Sequence, residues 1–427
     1  MKYVSVILTL IITSLFFFPI EFVYFLHGTN TKMLLAVLGL LIFLWNSISR
    51  RSMLVPKEIF ITSIIAGIFS LVVLYSVTYN HTDDYTYTTY IISMWVWLVA
   101  AYAVCSVINR VHGYISVKLI ANYLIAICIL QCILALLIDN IPAMKLFVDS
   151  YLINPIAETE VLHKVNRLYG IGAALDVAGT RFASILVMIA VLLCNDHVIK
   201  TNTKYIVIYV FVFILIAVVG SMMARTTNTG LIVAIVYTVY ASGLLKTQIK
   251  TMNLKLWGIA VGVTFCLVLI CIYLYNTVPA ARSLFRFGFE NFFNWIETGI
   301  WQSQSTNILQ RMWILPETLK TWIIGDGYFY NPFNKQIFYM GTDVGYLRFI
   351  YYCGLVGLFT FSMFFVYISA ACYKRFPKEK HLFLLLLILV FVIWVKVSTD
   401  IFLVYALFLC IPMVQKQSIN QMRGMLS

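Results

Sequence analysis

Charged residues are scarce in this sequence: Asp, Glu, Lys and Arg make up only 11% of its 427 residues, whereas 62% are hydrophobic. The mean hydropathy is +0.92. A soluble domain cannot bury so much apolar surface, whereas a bilayer requires about 20 consecutive apolar residues for each helical span. The composition therefore predicts an all-α polytopic integral membrane protein, with one transmembrane domain over 1–427.

Apolar runs divide the chain into twelve predicted spans. No cleavable signal peptide is evident, because the first run is too long for a signal sequence and lacks a small-residue cleavage site. An even number of spans places both termini on the same side of the membrane. The predicted spans lie near 3–25, 33–48, 59–77, 89–108, 119–138, 177–195, 205–222, 230–245, 256–276, 346–371, 382–397 and 401–415.

The net charge of +13 is unevenly distributed between the two sides. One set of alternate loops carries 17 of the 30 basic residues but only three acidic residues, Glu58, Asp196 and Glu379. The positive-inside rule assigns these loops, and both termini, to the cytoplasm. The excess of positive charge is therefore a topology signal, and no nucleic-acid partner is expected.

Cysteine is missing from both large outer loops, 139–176 and 277–345. All nine cysteines fall in or at the ends of predicted spans, so no disulfide framework is expected. These two loops are rich in aromatic and aliphatic residues, which predicts folded rather than disordered loops. Within the second loop, 283–301 is typical of an interfacial helix. Two short helices should follow, the second starting at Pro316 and ending at Gly325 and Gly327.

Cofactor-binding motifs are also absent. The sequence contains no Walker A loop, no HExxH, no zinc-type Cys/His spacing and no dinucleotide glycine fingerprint, so no cofactor is expected. His81, Asp83 and Asp84 could form a divalent-metal cluster, but their spacing is unspecific, and no metal is predicted. The remaining chemistry-bearing groups are arginines, a few acids and many aromatics on the outer side. Arginine binds phosphate oxygens and aromatic faces stack on sugar rings, which predicts a lipid-linked sugar phosphate as ligand.

Arg225 is the most unusual arginine, because it lies in a short outer hairpin between two spans. An arginine near bilayer depth costs roughly 2.5–3.5 kcal/mol, which some interaction should offset. It could extend to lipid headgroups, or it could form a fixed anion site. Arg181, at the start of the sixth span, presents the same two alternatives. Asp343 and Arg348, at the start of another span, could instead be an interfacial ion pair.

Four segments, in this order and spacing, resemble the signature region of the O-antigen ligase and Wzy-type O-antigen polymerase superfamily. The resemblance covers about 130 residues specifically and extends to the whole chain through the span count. The segments are "ARTTNTGLIVA" (224–234), "RMW" (311–313), "IIGDGYF" (323–329) and "TDVGYLRFIYYCGLVG" (342–357).

Two departures from the family pattern affect the interpretation. Ligases typically carry a histidine three residues before the first tyrosine of the last segment. In this chain that tyrosine is Tyr346, and the position three residues before it is Asp343. This difference favours a polymerase. Some polymerases have an arginine and a glycine separated by ten residues in each large loop. Here eleven residues separate Arg167 from Gly179, and thirteen separate Arg311 from Gly325.

The resemblance implies a metal-independent glycosyltransferase at the periplasmic face of the bacterial inner membrane, acting in lipopolysaccharide or capsular polysaccharide biosynthesis. It would transfer a growing glycan from undecaprenyl pyrophosphate to another lipid-linked repeat unit. Its partners would be the undecaprenyl-pyrophosphate-linked oligosaccharide, membrane lipid and a chain-length regulator protein.

Roles follow for individual residues. Arg225 and Arg311, with Arg181 and Arg348 as further candidates, would bind the pyrophosphate leaving group. Asp343 would act as general base, with Asp326 as the second candidate. The sugar would contact three aromatic residues, Trp313, Tyr328 and Tyr346.

Three other functions remain open at this stage. A ligase would move finished glycan onto lipid A-core, but the substitution of histidine by Asp343 argues against it. A flippase for lipid-linked oligosaccharides would need charges along a central cavity, and charges within the predicted spans are scarce. A structural or regulatory membrane protein would not require the set of arginines.

Overall fold

The computed structural model describes residues 2–26, 28–50, 55–152, 167–243 and 251–424, and the regular elements in these ranges are helices. They are α1 (Lys2–Phe17), α2 (Thr31–Arg50), α3 (Lys57–Tyr79), α4 (Tyr90–His112), α5 (Val117–Asn140), α6 (Pro142–Tyr151), α7 (Leu175–Asn195), α8 (His197–Thr201), α9 (Thr203–Met223), α10 (Thr227–Ser242), α11 (Thr251–Thr277), α12 (Pro279–Gly288), α13 (Glu290–Thr298), α14 (Gln304–Arg311), α15 (Leu319–Ile323), α16 (Gly345–Arg375), α17 (Lys380–Ile393) and α18 (Phe402–Gly424). A 3-10 turn covers Tyr339–Gly341.

Eight of the described helices, α2, α3, α4, α5, α7, α9, α11 and α16, are long and apolar enough to cross a membrane. Four shorter apolar helices, α1, α10, α17 and α18, coincide with the other predicted spans. The protein is therefore an all-α, multi-pass membrane protein. The count of twelve crossings and the cytoplasmic placement of both termini remain predictions.

Several boundaries differ from the prediction. The first predicted span extended to residue 25, but α1 ends at Phe17. Its end lies directly before the Phe18-Pro19 pair, because proline disfavours a helical conformation in the residue that precedes it. Pro316 does not start a helix either. Instead α15 begins at Leu319, where the Thr318 hydroxyl accepts a hydrogen bond from the Thr321 backbone N–H at 3.1 Å.

The predicted interfacial helix over 283–301 is two helices. α12 ends at Gly288 and α13 begins at Glu290, because the backbone of Phe289 between them leaves the helical region. In the first large loop, α6 forms over Pro142–Tyr151, and residues 153–166 lie outside the described residues.

The chain divides into two compact units. Unit 1 comprises Met1–Leu124 and Leu309–Ser427, and unit 2 comprises Ile125–Ile308. In unit 1, α3 and α17 pack against α16, and α2 and α18 pack against α4. Its core is aromatic, with Phe361 stacked on Trp394 at 5.2 Å between ring centroids and on Phe69 at 4.6 Å.

Unit 2 is organised around α7, which packs against α9 and α10. The residues of α7 from Ala178 to Cys194 are all buried. This explains why α7 is apolar on all sides rather than along one stripe. Arg181 lies within this buried helix, and the turn that carries Arg225 joins α9 to α10.

Candidate functional site

The longest helix of unit 1, α16, is broken in its N-terminal third. Cys353 and Gly354 leave the helical region, with φ values of −141° and +66°. The break frees backbone carbonyls, and the Gly325–Gly327 turn uses them: the Asp326 N–H donates to Tyr351 O at 2.6 Å, and the Gly327 N–H to Tyr352 O at 3.2 Å. Two segments of the signature region therefore meet at the first glycine of Gly-x-x-Gly.

Glycine is required at this junction for steric reasons. A Cβ on Gly354 would lie 2.1 Å from Ile323 O, and a Cβ on Gly325 would lie 2.6 Å from the Cys353 backbone nitrogen. Both residues also have positive φ, which disfavours other side chains. The Gly-x-x-Gly pattern thus places the backbone of the loop in direct contact with the backbone of the helix.

Gly354→Ala should therefore lower the thermal stability of the protein. Backbone strain alone contributes about 1–3 kcal/mol, before the contact with Ile323 is counted. The measurement is the melting temperature of the purified protein in detergent. Gly258→Ala is the matched control, because a Cβ at Gly258 meets nothing within 4 Å. Equal melting temperatures for the two variants would contradict the proposed junction.

The "RMW" segment contacts the beginning of the same helix. The Thr342 hydroxyl donates to Met312 O at 2.8 Å, and the Tyr351 hydroxyl donates to Ile314 O at 3.0 Å. Arg311 directly precedes Met312, and Asp343 directly follows Thr342. The chain thus brings these two predicted site residues into the same part of unit 1.

Arg311 and Asp343 differ in exposure. Arg311 is exposed at the end of α14, and its guanidinium makes no hydrogen bond or ion pair with a residue that the structure describes. Asp343 is half-buried just before α16, between two buried residues, Thr342 and Val344. Arg311 and Asp343 therefore each adjoin one residue of the hydrogen-bonded pair Met312 and Thr342, with Arg311 exposed and Asp343 half-buried.

Asp326, the second candidate for the base, is held by its neighbours. Its Oδ1 accepts from the Thr321 hydroxyl at 2.8 Å and lies 3.2 Å from Lys320 Nζ. Burial, followed by the charge of Asp326, raises the pKa of Tyr339. These contacts give Asp326 a clear part in closing the turn, whereas a role as base would require it to release them.

Arg348 lies between aromatic rings and is only 7% exposed. Its guanidinium carbon is 4.0 Å from the ring centroid of Phe329 and 3.2 Å from that of Phe338. Such cation–π contacts stabilise a protein by up to about 2 kcal/mol when desolvated. Arg348 therefore holds the loop that contains Phe329 and Phe338 against α16, and its role in pyrophosphate binding remains a prediction.

Asp84 supports the same loop from the α3–α4 connection. Its Oδ2 accepts from the backbone N–H groups of Phe329 at 2.8 Å and Tyr330 at 2.9 Å. The sequence suggested Asp84 only as part of a metal cluster with His81 and Asp83. Among the described residues, no group of three or more His, Cys, Asp or Glu side chains is placed to hold a metal ion.

The three predicted sugar-binding aromatics have different surroundings. Trp313 is 45% exposed. Tyr328 is half-buried and stacks on Tyr339 at 5.5 Å between centroids. Tyr346 packs edge-on against Trp394, and its hydroxyl donates to Phe391 O at 2.8 Å. Trp313 and Tyr328 can thus offer ring surface to a ligand, whereas Tyr346 is used in packing.

In unit 2, Arg225 is at the centre of a network formed with the α12–α14 region. Its Nε donates to Phe287 O at 3.0 Å, Nη1 donates to Ser305 Oγ at 2.8 Å, and Nη2 lies 2.5 Å from Glu290 Oε2. Burial lowers the pKa of Arg225, and the carboxylate of Glu290 opposes this effect. The predicted cost of an arginine at this depth is therefore offset by an acidic partner.

Arg167 lies on the same aromatic ring. The guanidinium carbons of Arg167 and Arg225 are 4.7 Å and 4.4 Å from the ring centroid of Phe287. Burial lowers the pKa of Arg167; Asp176 opposes that change and the charge of Arg225 adds to it. Asp176 also accepts a hydrogen bond from the Thr226 hydroxyl at 2.5 Å. The result is a partly buried pair of arginines in which each guanidinium has an acidic neighbour.

Arg181 is only 6% exposed within α7. It interacts electrostatically with Cys128 of α5. Arg181 is thus more deeply buried than Arg225, whose side chain is 16% exposed.

Four contributors to these sites were not identified from the sequence: Glu290, Phe287, Phe329 and Phe338. Glu290 and Phe287 were part of a segment interpreted as one interfacial helix. The only signal for them was the expectation that some interaction must offset the free-energy cost of placing the Arg225 side chain near bilayer depth. Phe329 ends the quoted segment 323–329 but was given no role, and nothing in the sequence pattern distinguishes Phe338 from the other aromatics of the loop.

Comparison with known protein families, with curated proteins and with solved structures finds no match to this chain. The fold and composition make it a multi-pass helical membrane protein with eight long spanning helices among its described residues.

Proposed function

We propose that this protein polymerises lipid-linked glycan repeat units at the outer face of the bacterial inner membrane. The proposal depends chiefly on one observation: in unit 1, the segments 311–314, 325–327 and 342–354 are joined by direct hydrogen bonds. These segments carry most of the resemblance to the polymerase superfamily. Their junction supports the proposal because it brings an exposed arginine and a shielded carboxylate to the same helix end.

The reaction breaks the bond between the anomeric carbon of the donor glycan and the pyrophosphate of its lipid carrier. A new bond forms between that carbon and a hydroxyl oxygen of the acceptor repeat unit. In this proposal, Asp343 takes the hydroxyl proton, which is the role of a general base. The leaving pyrophosphate keeps the electron pair of the broken bond, and Arg311 stabilises its negative charge.

Unit 2 has features that suit a lipid-linked anion. An apolar groove of about 560 Å³ lies along α7, α9, α10 and α11, and four phenylalanines of the segment 285–293 also line it. These are Phe285, Phe289, Phe292 and Phe293. The same two helices carry Phe287 and Glu290, which contact Arg225. We propose that the groove holds a polyprenyl chain and that Arg225 binds the pyrophosphate at its end.

Reconstitution tests the proposed reaction directly. The full-length protein, purified in detergent, should convert the lipid-linked repeat unit alone into a ladder of multimers on a gel. The ladder should persist with a metal chelator, because guanidinium groups supply the positive charge. Heat-inactivated protein is the control.

Two results would contradict the proposal. Transfer only after lipid A-core is added would identify a ligase. The absence of any product under both conditions would contradict an enzymatic function and favour a transporter.

A further inference from the structure

A polar cavity of about 180 Å³ lies in unit 1, outside the site described above. It is bounded by the end of the α3–α4 connection, the first turns of α4 and the start of α18. One water molecule needs roughly 10–15 Å³, so the cavity can accept a ligand of many heavy atoms. Its polar and aromatic lining residues include Thr86, Tyr87, Tyr90, Ser93, Trp97 and Asp400.

Asp400 supplies the carboxylate of this cavity in a fixed orientation. Its Oδ1 accepts from the Phe402 backbone N–H at 3.0 Å, which also caps the start of α18. Its Oδ2 accepts from the Tyr90 hydroxyl at 3.3 Å. An ionised carboxylate has about four acceptor positions, and these two bonds use one position on each oxygen.

Tyr87 adds a hydroxyl donor. This hydroxyl makes no hydrogen bond to a residue that the structure describes. Burial, followed by the charge of Asp400, raises the pKa of Tyr87, so the hydroxyl stays protonated at neutral pH. A donor and an acceptor therefore line the same small cavity, as a hydroxylated ligand requires.

Trp97 adds a large aromatic surface. Phe16 contacts it edge-on at 5.4 Å between centroids, and Lys32 Nζ lies 4.5 Å from the centroid of one of its rings. These contacts fix the orientation of the indole. An ordered aromatic ring beside a carboxylate and a hydroxyl can pack against the apolar face of a sugar while the polar groups bind its hydroxyls.

We propose that this cavity binds one pyranose ring of a glycan, with Asp400 accepting hydrogen bonds from its hydroxyls and Trp97 packing against its face. This inference builds on the proposed function, because it assigns unit 1 a glycan-binding subsite separate from Asp343. The cavity would position a sugar of the repeat unit and contribute to the choice of substrate.

Saturation-transfer NMR on the full-length protein in nanodiscs tests the inference. The probes are methyl glycosides of hexoses and N-acetylhexosamines, with tetramethylammonium as a cationic probe of the same cavity. We expect at least one glycoside to bind the wild type. Asp400→Asn should weaken its binding at least about tenfold, because a charged acceptor is lost. Asp83→Asn is the matched control, since Asp83 is an exposed acid of the α3–α4 connection that does not line the cavity.

A second variant protects the test against misfolding, because Asp400 also caps α18. Ser93→Leu adds bulk at the exposed edge of the cavity without changing that cap, and it should also weaken glycoside binding. Three results would overturn the inference: no glycoside binds the wild type, tetramethylammonium alone binds, or binding persists in both variants.

Polymer formation is assayed in parallel. Extension without glycoside binding would overturn only the subsite, whereas binding without extension would overturn only the proposed reaction.

Discussion

Arg225→Ala is expected to reduce chain extension by about 10²–10³-fold while the protein still inserts and accumulates in the membrane. This is the typical cost of removing one preorganised donor that stabilises a developing negative charge. The measurement is glycan length on a gel, in cells that make the lipid-linked repeat unit and lack any other polymerase. Protein level in the membrane fraction is measured in the same cells.

The network around Arg225 requires two further variants, because the same side chain also holds the α12–α14 region. Ser305→Ala removes one contact to this region and leaves the charge of Arg225 in place. Glu290→Gln removes the acidic partner and leaves the guanidinium more available to an anion. If Arg225 binds pyrophosphate, both variants should keep extending chains.

Two outcomes would disprove the role of Arg225. Normal-length polymer from Arg225→Ala would exclude an essential anion site. Loss of extension in Ser305→Ala equal to that in Arg225→Ala would show that Arg225 acts only by holding the loop.

Asp343→Asn should slow turnover by about 10²–10⁴-fold without reducing the binding of lipid-linked substrate. The amide cannot accept the proton of the acceptor hydroxyl, and general-base catalysis contributes rate enhancements of this size. Turnover is measured with the reconstituted protein, and binding is measured by retention of labelled lipid-linked repeat unit on the immobilised protein.

Asp326→Asn is the comparison that separates the two acids. Asp326 contacts Lys320 and Thr321, so its substitution should lower the melting temperature. At a permissive temperature, the turnover should stay near the wild-type value. Wild-type turnover in Asp343→Asn would exclude the base role. Slow turnover at an unchanged melting temperature in Asp326→Asn would transfer that role to Asp326.

The sequence predicted helix positions better than contacts. Apolar runs identify helices because a spanning segment must satisfy its own backbone hydrogen bonds. The shorter extent of α1 was also readable in principle from Pro19. The break in α16 was not predicted, because the residues around Gly354 are apolar and Gly-x-x-Gly is compatible with a continuous span.

The candidate sites were predicted only in part. Arg225 and Asp343 were identified as unusual polar residues next to apolar runs, and Arg311 was identified through the resemblance of the segment 311–313. Their partners were not, because they come from distant parts of the chain. Glu290 is 65 positions from Arg225, and Asp84 is 245 positions from Phe329. Such pairs arise from tertiary packing, which leaves no local pattern in a single sequence.

The break in α16 has a consequence for the biosynthesis of the chain. The carbonyls of Tyr351 and Tyr352 are satisfied by N–H groups of residues 326 and 327, which leave the ribosome earlier than α16. In hydrocarbon, an unsatisfied backbone carbonyl costs several kcal/mol. The N-terminal part of α16 therefore cannot mature as an independent helix. It requires the 325–327 turn to be in place, so folding of that turn becomes a prerequisite for completing a helix that follows it in the chain.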